Sequence, residues 1–157
     1  MHKRKNEPID EKEQELAFQF WTELSQKIPE WQLAAKRKVS SADLRRDYVH
    51  AHSNVLHALG IVGNALLQQH PEDWQKYLFP LQNIDWLRSN TAIWEGRAMV
   101  GGQMSKARQN VQLTANFLKI ALGLELTSEE TKLEEKYHLG LSGHASTSKT
   151  IPAKHKK

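Results

Sequence analysis

At 157 residues, with no cysteine and a formal net charge of +4, the chain has the size of one domain and can bury about two-thirds of its unfolded surface. The missing cysteines exclude a disulfide scaffold, a thiolate zinc site and a cysteine nucleophile, and they fit a reducing, cytoplasmic setting. A composition of 39% hydrophobic and 25% charged residues is too apolar for full disorder, yet no apolar run approaches the ~18 residues that cross a bilayer.

The termini are polar. Residues 1–8 are expected to be disordered, residues 9–138 to form a helical domain, and residues 139–157, a Ser/Thr/Lys-rich stretch without apolar periodicity, to form a disordered basic tail. The N-terminal charges are not followed by an apolar segment, so no secretory signal is read there. In the middle, Asp10 to Lys27 reads as a first helix. Leu16, Phe20, Leu24 and Ile28 recur every four residues, acidic groups fill the first turn, and Pro29 stops it. Ser40 or Ser41 caps a second helix from Ala42 to about Gln69, striped by Leu44, Tyr48, His52, Val55, Leu59, Val62 and Leu66. Gly60 and Gly63 inside that stripe suit a close helix contact.

Pro71 opens a third helix carrying Trp74, Tyr77, Leu78 and Leu81, which Pro80 kinks or ends. A short helix with Ile93, Trp94, Ala98 and Met99 follows, and Gly101-Gly102 breaks the chain. Ser105 is placed to cap the next helix, with Val111, Ala115, Leu118 and Leu122 inside and Gly123 at its end. Thr127 and Glu130 match a capping box that starts a last helix. No strand of useful length is read. The expected fold is all-α, an irregular bundle of five or six helices.

Three places can carry chemistry. Asp47, His50, Asn54 and His57 fall at i, i+3, i+7 and i+10, which puts them on one polar face of the expected long helix. HExxH is absent and no His pair has chelating spacing, so neither a metal nor a cofactor is expected. The segment 84–97 sets Asp85, Arg88, Asn90, Glu95 and Arg97 among Trp86 and Trp94. Its arginines either brace carboxylates or hold phosphate, and its tryptophans either stack on a base or anchor an interface. The glycine junction leads through Ser105, Lys106, Arg108 and Asn110 into a helix N-terminus, where free N–H groups suit an anion. From Gly96 to Leu122 there are four basic residues and no acidic one. Arg45 and Arg46 lie in a further basic cluster, with Lys36, Arg37 and Lys38 before them. No nucleophile elbow or Walker A loop occurs, so no enzyme is expected.

WLRSN at 86–90, WEGRAM at 94–99, Ser105-Lys106 and NVQLTAN at 110–116 resemble the C-terminal region of the DndB family. IPEWQ at 28–32, LRRDYVHAH at 44–52 and LGLELT at 122–127 fit the same family. The resemblance spans residues 16 to 135. It implies the DNA phosphorothioation system, in which sulfur replaces a non-bridging phosphate oxygen, and within it a DNA-binding regulator of the modification genes. The family's Asp-Gly-Gln-His-Arg signature is absent, so the chain is expected to lack that N-terminal domain. The expected partner is double-stranded DNA, held by Arg88, Asn90, Arg97, Ser105, Lys106, Arg108 and Asn110, with Arg45 and Arg46 as secondary contacts. The alternative is a helical module that docks, through Trp86 and Trp94, on the missing N-terminal domain or on another modification protein.

Overall fold

A computed structural model describes residues 7–147 of the chain. Helix α1 (Glu11–Gln26) starts where the sequence marks it. The Asp10 carboxylate accepts from the Lys12 N–H at 2.6 Å, and Glu13 reaches back to the Asp10 N–H. Phe20, Leu24 and Ile28 are buried, whereas Leu16 stays at the surface. Pro29 opens α2 (Pro29–Ala35) instead of ending the chain's helical course. Its fixed φ suits a first helical position, where the missing N–H has no partner to lose.

The long helix expected from Ala42 to Gln69 is two helices, α3 (Ser41–Asp47) and α4 (Ser53–Gln69). Ser40 caps α3, in a capping box with Asp43. Between the helices, Tyr48 and His52 are extended around a 3-10 turn at Val49–Ala51. The break is compensated by a distant segment. The Val49 N–H donates to the Trp86 carbonyl at 3.0 Å and the Arg88 N–H to the Asp47 carbonyl at 2.9 Å. Periodicity along one segment cannot register such a tertiary partner. The expected single polar face therefore does not exist: His50 and Asn54 are buried and His57 is exposed.

The third expected helix is a 3-10 helix, Trp74–Asn83, with Pro80 inside it and Trp74, Leu78 and Leu81 buried. Pro80 has no N–H for an α-helical bond. After α5 (Thr91–Trp94) comes a hairpin where no strand was expected, β1 (Met99–Val100) against β2 (Gln103–Met104). Its two-residue turn, Gly101-Gly102, has φ of 59° and 76°, as a turn with two left-handed residues requires.

Helix α6 (Arg108–Ala121) is preceded by Ala107, without a side-chain cap, so Ser105 does not cap it. Gly123, at φ 75°, ends it. Helix α7 (Ser128–Thr147) begins with the expected box: the Glu130 N–H donates to Thr127 Oγ1 and the Thr127 N–H to Glu130. It continues through Gly140 to Thr147, where a disordered tail was expected; the remainder of that tail lies outside the described residues.

Helices α4 and α6 form the centre and run in the same direction. At one end, the buried Asn54 amide donates to the carbonyls of Ala98 (3.0 Å) and Ser105 (2.8 Å), just ahead of α6. At the other, the Gln69 side chain bonds both the carbonyl and the N–H of Glu125, just past α6. Val55, Leu59, Val62 and Leu66 meet Val111, Ala115, Leu118 and Leu122 in one core, which α1, Trp74, Leu78, Trp86 and Trp94 complete. The architecture is all-α apart from the hairpin.

At Gly63 an added Cβ would stand 2.5 Å from Phe20 Cζ, so this glycine does allow a close approach of α1 to α4, while Gly60 has nothing nearby. Gly63→Ala is expected to lower stability by about 1 kcal/mol, because overpacking of about 1–3 kcal/mol exceeds the gain of roughly 1 kcal/mol in helix propensity. Urea unfolding of the two proteins checks this; an alanine variant as stable as the parent would show that Phe20 moves aside without cost.

Candidate nucleic-acid interface

The tryptophan-rich segment is built into the core. Trp94 is fully buried and Trp86 nearly so, with their rings stacked at 5.5 Å. Their indole N–H groups donate to the carbonyls of Asp85 and Leu81. Neither ring is open to a nucleobase or to a partner protein, which corrects both expectations for this pair. Arg97 is corrected as well. It is 6% exposed, and its guanidinium grips Glu134 in bidentate fashion at 2.7 and 2.8 Å while donating to the Leu113 carbonyl. Its charge lies 4.4 Å from the centre of the Tyr137 ring. This is the brace reading, and the partner comes from 37 residues further along the chain, too far for sequence spacing to expose.

Several other candidates hold the local backbone. The Asn90 amide donates to Asp85. Ser105 Oγ donates to Asn110, whose amide donates to the Gly96 carbonyl. The carboxylate of Glu95 accepts the N–H groups of Gly101 and Gly102, so the glycine turn already carries an anion from its own chain. Arg88 donates to the carbonyls of Arg45 (3.3 Å) and Gly102 (3.2 Å), tying the end of α3 to the hairpin tip. Arg46 binds Asp43 and Asp47. Hydrogen bonding from Arg46 holds the Asp47 carboxyl below its ordinary range, and the Ser40 hydroxyl does the same for Asp43 ahead of Arg46.

Two of the remaining cations come together. Lys106 and Arg108 line a cleft of about 360 Å³ with His57, Ile61, Val111 and Gln112. The surface continues outward from there. Lys106 follows Ser105, whose carbonyl is held by Asn54 on the first turn of α4. His52, just before α4, bonds the Arg45 carbonyl that Arg88 also reaches. No ion pair to an acid is made by Arg45, Arg88, Lys106 or Arg108 among the described residues.

The helix ends reinforce this surface. Because α4 and α6 are parallel, both N-termini lie at this end. Neither has a side-chain cap or an acidic residue in its first turn, whereas α1, α3 and α7 all begin with capping boxes and acids. An uncapped N-terminus presents unpaired N–H groups and about half a positive charge. Two of them stand at the end where Lys106 and Arg108 line the cleft and Arg88 reaches the hairpin tip.

Behind it, His50 is enclosed by the rings of Tyr48, Trp31 and Trp86. Trp31 Nε1–H donates to Nδ1 at 3.0 Å, so the other ring nitrogen, Nε2, is the one that donates to Glu30 at 3.3 Å. Burial lowers its pKa from 6.5 to about 4, against the opposing pull of Glu30. The aromatic cage was not legible beforehand, since Trp31 and His50 are separated by 19 residues.

Fold and surface together define a small helical domain with one cationic end. The chain belongs to the DndB family: a family model described as DNA-sulfur modification-associated matches residues 1–125. This membership ties the chain to DNA sulfur modification. No curated protein and no solved structure matches it. Helix α7 begins after the matched residues.

The buried neutral His50 makes stability depend on pH. Its folded pKa is depressed, so the unfolded chain binds more protons as pH falls from 6.5 toward 4. The contribution is fully present above 6.5 and is lost on acidification, by about 2 kcal/mol between roughly pH 7 and pH 5. Urea midpoints at the two pH values check this. His50→Asn should start less stable and show a flatter pH profile; an unchanged profile would place the titration elsewhere.

Proposed function

We propose that this domain binds duplex DNA through its phosphate backbone as a regulatory or accessory component of DNA sulfur modification, and that it performs no chemistry itself. The supporting observation is the cleft that Lys106 and Arg108 share at the end where α4 and α6 both present uncapped N-termini, with the Arg88 guanidinium beside His52 just ahead of α4. Phosphate oxygens are suited to such a surface, because Arg and Lys supply charge and the helix ends supply N–H donors. Family membership names the process in which such binding would serve, and a partner of this kind carries a cytoplasmic location with it. The carboxylates that could have acted as acid and base are engaged: Asp85 with Asn90 and the Leu87 N–H, Glu95 with the glycine turn. That supports a binding role over a catalytic one.

A docking role has one observation in its favour. Phe18 on α1 is 69% exposed and Phe79 is 61% exposed, and neither is used by the cationic end. A modification protein captured by the parent chain and lost with Phe18→Ser would support docking.

For the main reading, duplex DNA is titrated at two salt concentrations. Affinity should fall steeply with salt. Lys106→Ala with Arg108→Ala should weaken binding on every sequence and reduce the salt slope by about 0.9 for each phosphate no longer neutralised. Binding that ignores both salt and these substitutions would overturn the reading.

A further inference from the structure

We propose that Arg97 and Lys119 form a second anion-binding face, which α7 holds closed by placing carboxylates where phosphate groups would sit. The inference rests on the DNA reading only for the identity of the anion. Arg97 lies ahead of the hairpin and Lys119 in the last turn of α6, both within the residues that match the family. Both are buried, and both are neutralised by one helix that begins after those residues. Glu134 takes Arg97, and Glu130 takes Lys119 at 2.6 Å. The two glutamates are one helical turn apart, so a single face of α7 covers both cations. A bidentate guanidinium offers the same pair of donors to a phosphate as to a carboxylate.

The rest of the α7 seam is thin. Glu134 is its only buried residue among those whose burial is described. Leu133 and Tyr137 are half-buried, Leu139 and Leu141 are exposed. Tyr137 gives one hydrogen bond to the Glu95 carbonyl. Gln112 bonds Asn116 and Glu130, while Asn116 bonds the Glu130 carbonyl. Glu134 also has His138 at 3.4 Å. An interface led by buried ion pairs returns little more than the desolvation of its charges. A competing polyanion can therefore replace it. The seam adjoins the first surface: a cleft of about 490 Å³ between α6 and α7 is lined by Arg108, Gln109, Gln112, Glu129 and Glu130. A strand of phosphates bound at Arg108 thus has Lys119 and Arg97 next along its path once α7 lifts.

The full-length chain tests this with a charge-matched control. Glu130→Gln with Glu134→Gln releases the cations; Glu125→Gln with Glu135→Gln removes the same charge from exposed positions just before and on α7, away from the Arg108 cleft. The first pair should bind a short duplex roughly tenfold more tightly than the control pair, with a salt slope steeper by about 0.9 for each cation freed. Adding Lys119→Gln should remove part of that gain. Equal affinities for the two pairs, or a gain that survives Lys119→Gln undiminished, would overturn the proposal. The parent protein supplies a measurement that needs no folded variant. Amide exchange in α7 should speed up on saturation with duplex while α4 and α6 slow down, and an α7 that stays protected in the complex also refutes it. Tripolyphosphate serves as a second probe. If it binds the Glu130→Gln, Glu134→Gln protein better than the control while duplex binds neither, the second face stands and the DNA reading fails; if neither anion prefers the released protein, the second face itself is refuted.

Discussion

The parallel packing of α4 on α6 is the constraint from which the other features follow. Side-by-side helices that point the same way cannot be joined by a short turn, so the chain needs a long return between Gln69 and Arg108. That return supplies the 3-10 helix, the paired tryptophans and the hairpin, all of which cap or flank the central pair. Parallel dipoles also repel one another, and the repulsion is greatest at the ends. Here it is not relieved by acids or caps at the N-termini. The domain instead leaves positive potential at one end and adds cations to it. A surface with that composition is poorly explained by stability alone, since stability would favour a Ser or Asp at each helix start.

Asn54 shows how a core polar group fixes this arrangement. Its amide meets the carbonyls of Ala98 and Ser105 across the start of both helices; the Ala98 carbonyl also accepts the Ser105 N–H, so it is the Ser105 carbonyl whose burial without a donor would cost about 1–3 kcal/mol. The bonds set the axial register of α4 against α6. Register in turn decides that His57 falls opposite Lys106 and Arg108, and so creates the cleft.

Local signals in the sequence were reliable where the physics is local. Asp10, Ser40 and Thr127 cap helices with residues three positions away, and Gly123 ends one by its own φ. Of the stripe Leu16, Phe20, Leu24 and Ile28, the last three face the core as their spacing requires, while Leu16 at its start stays at the surface. The failures share a different cause. The break at Tyr48 to His52 depends on residues 86–88, the His50 cage on Trp31, and the burial of Arg97 on Glu134. None of these partners lies within a helical turn. Charge density singled out Arg45, Arg88, Lys106 and Arg108, which meet no acid among the described residues, together with Arg97 and Arg46, which do, because a cation's sequence does not say whether an acid will reach it. His57 was seen only as part of a polar face, and its place in the cleft emerges from the parallel packing.

The two fates of the basic residues call for separate explanations. Leaving Lys106 and Arg108 in water costs little. Burying Arg97 and Lys119 costs a great deal before Glu134 and Glu130 are present, and a leucine-lined seam of similar size would have docked α7 at least as firmly. Apolar docking, however, would respond to no ligand. Ion-paired docking responds to any anion dense enough to compete, and a charged polymer next to Arg108 is such an anion. The choice of Glu against Arg over Leu against Leu therefore favours reversibility over strength, and under the proposed function it would make the covering helix sensitive to the same class of partner as the open end.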